Sequence, residues 1–367
     1  MKKIAKILAL TVCAAGALSL SACSGCAGTV TYKTDTSPNW QIRVGNTDEL
    51  NEQSYFMSHK EVATYSISLS GSNNSVYSVE YSDEGSYTTT FYAMEYDWSS
   101  QDIPEELRVE DTTDYIYVYE TVLHQPGAYV MGSERHEFTN EVTTVSYFRS
   151  AGNNLLPVYS SQDIKSTAPN SLSPSTIYGC YIEMDRAYET YYSRDGLTAV
   201  TEVTRGDGDV ETGTFSAGVG TEYSLFDSSS IAVALRSMSQ TGTQVFDIYV
   251  PVNGASARFQ AAWGSSAVVD RNNQDYAPIV AAMDGAADAG YILPGENDEG
   301  TVEYSLTPVT LSLVSDMTGP TTTYYYASVT NPDLNTTRSV LMSMEEVVSF
   351  NLGTIIYVLT SLECVEI

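Results

Sequence analysis

The chain has 367 residues, of which 46 are acidic and 17 basic, a formal charge of −29. Such a surface repels the phosphate backbone and anionic lipid headgroups, which argues against nucleic acid as a partner. Hydrophobic residues at 43% and aromatics at 11% suffice for a packed core, so the charge does not signal disorder.

Lys2, Lys3 and Lys6 precede an apolar run from Ile7 to Leu20, followed by Ser21-Ala22-Cys23. A basic start, a short apolar stretch and small residues at a cut site predict a secretory signal over residues 1–22. The apolar stretch is shorter than the roughly 20 residues that a membrane span needs. Leu20-Ser21-Ala22-Cys23 resembles the lipobox of bacterial lipoproteins. The resemblance implies that Cys23 carries a diacylglyceryl group, traceable with palmitate, and becomes the new N-terminus. Two acyl chains hold a protein stably at about 0.8 kcal/mol per buried methylene, which places the chain on the extracytoplasmic face of the cell membrane. Residues 23–39 are small and polar and read as a flexible tether. Residues 40–367 are expected to form a β-rich extracytoplasmic domain. Loss of the three signal lysines leaves 14 basic residues against 46 acidic ones, a formal charge of −32.

Five cysteines are present. Cys13 leaves with the signal and Cys23 takes the lipid. The remaining Cys26, Cys180 and Cys364 are too few for a disulfide scaffold and contain no Cys-x-x-Cys pair for zinc. An oxidising compartment permits a Cys180–Cys364 bridge; the alternative is two buried free thiols.

Along the mature chain, strand alternation is abundant. Val62 to Leu69 puts Tyr65, Ile67 and Leu69 on one face and Thr64, Ser66 and Ser68 on the other. Val76–Tyr81 and Tyr87–Tyr96 continue a β-meander across the turns Gly71-Ser72-Asn73-Asn74 and Asp83-Glu84-Gly85. Tyr115–Leu123, Glu134–Phe148, Ile177–Met184 and Arg186–Tyr192 are predicted strands. Asp195-Gly196 predicts a type I′ hairpin between Tyr188–Ser193 and Leu197–Thr204. Asp227-Ser228-Ser229-Ser230 then offers N-cap oxygens, and Ile231, Ala234, Leu235 and Met238 share one helical face. Thr241-Gly242 ends that helix. A second helix is predicted from Tyr276 to Ala287, with Pro278 in its first turn. Ala289 to Gly300 is a loop rich in Gly, Pro and acids. The tail returns to strands at Val309–Val314, Thr321–Thr330, Arg338–Phe350 and Ile355–Glu363. No Pro/Ser-rich hinge flanks the first helix, which favours one continuous sheet over two β-sandwich-like domains meeting near residue 220.

Leu225 to Met238, followed by Val245 to Gly254, sets an aromatic-Asp pair, a short helix ending in Leu-Arg and a strand pair in succession. With Val62–Leu69, Leu155–Tyr159 and Glu189–Leu197, this is similar to uncharacterised half-barrel proteins distantly related to the lipoprotein carriers of the LolA/LppX type. Trp263 to Gly300 departs from that pattern as an insertion. The resemblance implies a mainly β fold: a large, curved antiparallel sheet with one or two short helices packed in its concavity. It also implies a hollow that takes an apolar ligand such as a lipid. Ile231, Leu235 and Met238 would then face that ligand, or else plug the hollow as core.

No metalloprotease, nucleophile-elbow or phosphate-loop motif occurs, so no catalytic residue is assigned. His124 and His136 flank Pro126-Gly127 and would approach each other across a hairpin turn there, with Glu134 and Glu137 nearby. Calcium is the ion that the acidic turns suit, with Asp207, Asp209 and Glu211 as candidate ligands and Asp270–Asp275 and Glu296–Glu299 as further oxygen clusters. Tyrosine is unusually frequent, 28 copies against 9 Phe. Tyr188, Tyr191 and Tyr192, and the run Tyr324-Tyr325-Tyr326, place rings on both strand faces. Such rings suit a pleated surface, and an exposed row would bind a glycan or a protein. A deep apolar groove would favour a carrier, a tyrosine platform near Trp98 or Trp263 a glycan or protein binder, and a cleft with paired carboxylates a hydrolase.

Overall fold

In the computed structural model the described residues are 52–71, 78–151, 154–167, 184–216, 224–238, 240–270, 276–295, 303–317, 319–332, 336–348 and 353–367. The predicted signal, Cys23, the tether, Cys180 and most of the predicted strand Ile177–Met184 lie outside them, as do both further acidic clusters apart from Asp270.

The first half of the sheet consists of β1 (His59–Ser70), β2 (Ser78–Tyr81), β3 (Ser86–Asp97), β4 (Thr113–Met131), β5 (Glu134–Ala151), β6 (Asn154–Ser166), β7 (Met184–Tyr192), β8 (Thr198–Arg205) and β9 (Val210–Ser216). The second half consists of β10 (Leu225–Asp227), β11 (Thr243–Val250), β12 (Ala255–Trp263), β13 (Ala267–Asp270), β14 (Glu303–Leu313), β15 (Thr322–Asn331), β16 (Thr336–Val348) and β17 (Gly353–Glu366). Among the described residues three α-helices accompany them: α1 (Glu52–Ser58), α2 (Ile231–Ser237) and α3 (Ala277–Asp288).

All the strands belong to one sheet. From β9 the order runs back through β8, β7, β6, β5, β4 and β3 to β1. It then crosses to the last strand, β17, and continues through β16, β15, β14, β12 and β11 to β10. β2 adds to β4 beyond β3, and β13 adds to β14 beyond β12. Every pairing is antiparallel except β10 with β11. The sheet is open: β9 and β10 do not pair. The two-domain alternative is corrected by this continuity, since β1–β17 joins the two halves through a full ladder.

Curvature follows from what α2 touches. Arg236 reaches Glu61 on β1 and the Phe91 ring on β3, and the Ala232 carbonyl accepts from Tyr326 on β15 at 2.6 Å. Strands from both halves meet one seven-residue helix only if the sheet wraps around it. Alternation supplies the wall, with Ala63, Tyr65 and Ile67 inward on β1 and Phe91 and Ala93 inward on β3.

The outer face carries a second, smaller core. The segment after β3 folds back over the sheet, and Trp98 packs with Ile116, Val118 and Val158, while Ile103 and Leu107 cover Val200. The Trp98 indole donates to Asp114 at 2.9 Å.

Two turn predictions are corrected. The hairpin at Asp195-Gly196 forms, but only Gly196 takes positive φ (72°), so the turn is not type I′; Asp195 instead accepts from the Leu197 N–H at 3.0 Å. β4 runs straight through Pro126-Gly127 and turns after Met131. Gly127 is required there because a Cβ would come within 2.7 Å of the Glu80 carbonyl oxygen and the Phe138 ring.

Candidate functional site

The helix predicted to face a ligand sits inside the sheet. Asp227 caps the 3-10 turn Ser228–Ser230 that leads into it by accepting from the Ser229 N–H at 2.7 Å, and all seven residues of α2 are buried. Ile231, Leu235 and Met238 are at most 1% exposed and belong to the main core. Beside them lies a narrow gap lined by Phe148, Leu155, Phe226 and Val233, too tight to admit a water molecule. Small-molecule pockets usually measure about 300–1,000 Å³.

Arg236, in the last turn of α2, is buried against charge. Its guanidinium meets Glu61 at 2.7 Å, and Arg338 of β16 approaches the other Glu61 oxygen at 3.0 Å. The Tyr291 hydroxyl donates to that same oxygen at 2.7 Å. Burial by itself would raise the Glu61 carboxyl, but the two arginines more than reverse this and hold it below its usual range. The Arg338 guanidinium also lies over the Tyr291 ring at 4.6 Å and the Phe56 ring at 5.4 Å.

Where the two free ends of the sheet approach, side chains replace the backbone ladder. Asp227 accepts from Ser160 of β6 at 2.7 Å and from the Tyr192 hydroxyl of β7. Burial pushes its carboxyl up against the pull of these bonds. Thr201 of β8 and Tyr249 of β11 share a hydrogen bond of 2.8 Å, and Phe215 of β9 stacks on Tyr249.

A groove of about 600 Å³ opens between α3 and β17, lined by Tyr55, His59, Tyr291, Glu363 and Cys364 over Gly285 and Ala286. Several of its polar side chains are already engaged. Tyr55 and Cys364 meet at 3.1 Å, His59 Nδ1 contacts Ser58 at 2.8 Å, and Tyr291 is committed to Glu61.

The outer face is different. Tyr92, Val118, Tyr147, Tyr159, Tyr191 and Val200 are successive cross-strand partners on β3 to β8, a transverse row that no single stretch of sequence displays. The four tyrosines are half-buried, and the centroids of Tyr147, Tyr159 and Tyr191 follow one another at 5.0 Å. Beside this row runs a second one, Glu120, Val145, Ser161, Glu189 and Glu202. Tyr92 donates to Glu120 at 2.8 Å and Tyr159 to Glu189 at 3.1 Å. Burial first, and then the neighbouring acids Glu189, Glu202 and Asp102, push the Tyr191 hydroxyl up to about 12. Trp98 borders this platform, as the sequence suggested for a glycan or protein binder, although its ring is wholly covered. Of the Tyr324-Tyr325-Tyr326 run, Tyr324 and Tyr326 are core and Tyr325 points outward, half-buried.

The remaining sequence candidates are not brought together. His124 is paired in register with Glu141, and His136 with Tyr129, five positions further along β4. That separates the histidines by roughly 17 Å. Each has a carboxylate neighbour instead, Glu141 at 3.3 Å and Glu134 at 3.8 Å, while Glu137 binds Arg135. In the β8–β9 turn Asp207 accepts from the Asp209 N–H at 3.1 Å, and Glu211 of β9 pairs with Arg205 at 2.6 Å. Among the described residues no group of three or more His, Cys, Asp or Glu side chains is placed to hold a metal ion. No described helix is long and apolar enough to cross a membrane. No family model, curated protein or solved structure matches the chain.

Proposed function

We propose that the protein is a binding protein held by lipid on Cys23 at the extracytoplasmic face of a cell membrane, and that it takes its ligand on the outer tyrosine row. The observation that carries the second half is a contrast. The hollow of the sheet is packed with α2, and the gap beside the helix is too tight for a water molecule, while the outer row keeps four tyrosine rings and three carboxylates within reach of solvent. Rings and carboxylates side by side suit a glycan or a cationic chain better than a lipid.

Two measurements test this. Cells fed radioactive palmitate should label the chain, and Cys23→Ala should abolish the label; label retained by the variant ends the lipoprotein assignment. Organic extraction of purified protein should release no lipid, because the anchor's acyl chains are bonded covalently through Cys23. A stoichiometric lipid in the mass spectrum would return the ligand to the hollow.

A further inference from the structure

The tyrosine row is flanked by the carboxylates of Glu120, Glu189 and Glu202. Glu189 and Glu202 are direct cross-strand partners on the outer face, two carboxylates opposite each other beside the Tyr159 and Tyr191 rings. Like charges in that position repel. Among the described residues no lysine, arginine or histidine forms an ion pair with Glu120, Glu189 or Glu202. At the β3 end the chain shows what the row accepts. Lys60 places its ammonium 4.3 Å from the centroid of the Tyr92 ring, whose hydroxyl is bonded to Glu120.

We propose that this row binds a linear polyamine, with ammonium groups at the Glu189–Glu202 pair and at Glu120 and the methylene stem laid across the Tyr147 and Tyr159 rings. The proposal rests on the outer face being the ligand face. Three strand spacings separate Glu120 from Glu189, about 14 Å, a distance that an extended tetra-amine covers and a compact ion does not. Each ammonium gains a carboxylate and an aromatic face together. A neutral sugar would leave the opposed carboxylates unrelieved, and a divalent metal ion would make no use of the rings.

The test is fluorine NMR on the full chain, processed by a bacterial host and purified in neutral detergent with 3-fluorotyrosine incorporated. Row signals are assigned through Tyr147→Phe, Tyr159→Phe and Tyr191→Phe. The probes are spermine, magnesium chloride and a neutral hexasaccharide, each at physiological salt. Spermine should shift the Tyr147, Tyr159 and Tyr191 signals saturably. The double variant Glu189→Gln/Glu202→Gln, folded by circular dichroism, should bind spermine at least tenfold more weakly. Spermine acting no differently from magnesium, or binding the double variant unchanged, overturns the proposal. If the hexasaccharide shifts the row and spermine does not, the polyamine is wrong and the outer ligand face stands. If spermine shifts only signals outside the row, both fall.

Discussion

Replacing Glu61 with Gln should lower the unfolding free energy by about 3–5 kcal/mol, the range seen when one partner of a buried ion pair is removed. Glu61 is the shared counter-ion of Arg236 and Arg338, and the side chains of all three are at most 6% exposed. An amide keeps the shape but leaves two guanidinium groups in the core without their carboxylate. The readout is the urea midpoint at pH 7, with the slope unchanged. Acid gives a second signature. The folded carboxyl titrates below its ordinary value of 4.5, so its contribution is complete above about pH 4.5 and is lost as pH falls through the folded value. The variant should therefore lose less stability than the wild type below pH 4.5. A cost under about 1 kcal/mol would mean that the three charges do not share one dry site.

Glu346 should act with the opposite sign. It lies on β16 with Thr322 and Ile355 as cross-strand partners, 6% exposed, and burial raises its carboxyl to about 7. Between pH 4.5 and 7 the unfolded chain ionises there while the folded chain keeps the proton, so stability falls as pH rises through that window and levels off above it. Glu346→Gln removes the penalty. At about 1.4 kcal/mol per pKa unit, the variant should be more stable than the wild type by about 3 kcal/mol at pH 8 and nearly equal to it at pH 4. Paired thermal melts at the two pH values decide the matter, and an equal shift at both would exclude titration as the cause.

Most strands were legible because alternation is local. Val62–Leu69, Tyr87–Tyr96, Thr321–Thr330 and Ile355–Glu363 each fall within an observed strand to within one residue. What escaped depends on partners distant in sequence. Pro126-Gly127 has turn chemistry, yet β2 and β5 flank β4 there and hold it extended, with Gly127 supplying the room. Helix α2 was found through one apolar face, but Ala232, Val233 and Arg236 are buried too, because the sheet surrounds it. Arg236 reads as an ordinary basic residue in a last helical turn; its partner lies 175 residues upstream. Helix α1 was missed because its apolar residues, Tyr55, Phe56 and Met57, stand in one consecutive run and not at helical spacing. The tyrosine row was hidden for a different reason. Its members are ordinary strand residues one by one, and the registers of five strand pairs are needed to line them up.

The pairing of β1 with β17 has a kinetic consequence. His59 is opposite Glu366 and Ser70 opposite Thr354, so the ladder that joins the two halves of the sheet needs a strand nearly 300 residues further on. A polypeptide that emerges N-terminus first, from a ribosome or through a translocation pore, can assemble the β3-to-β9 half early. It must then keep one side of β1 open until nearly 300 further residues have followed. Closing so long a loop is slow, and an open strand edge in the meantime invites pairing with other chains. Removing β17 would therefore expose a seam in the middle of the sheet, between β1 and β16, and not merely trim its margin.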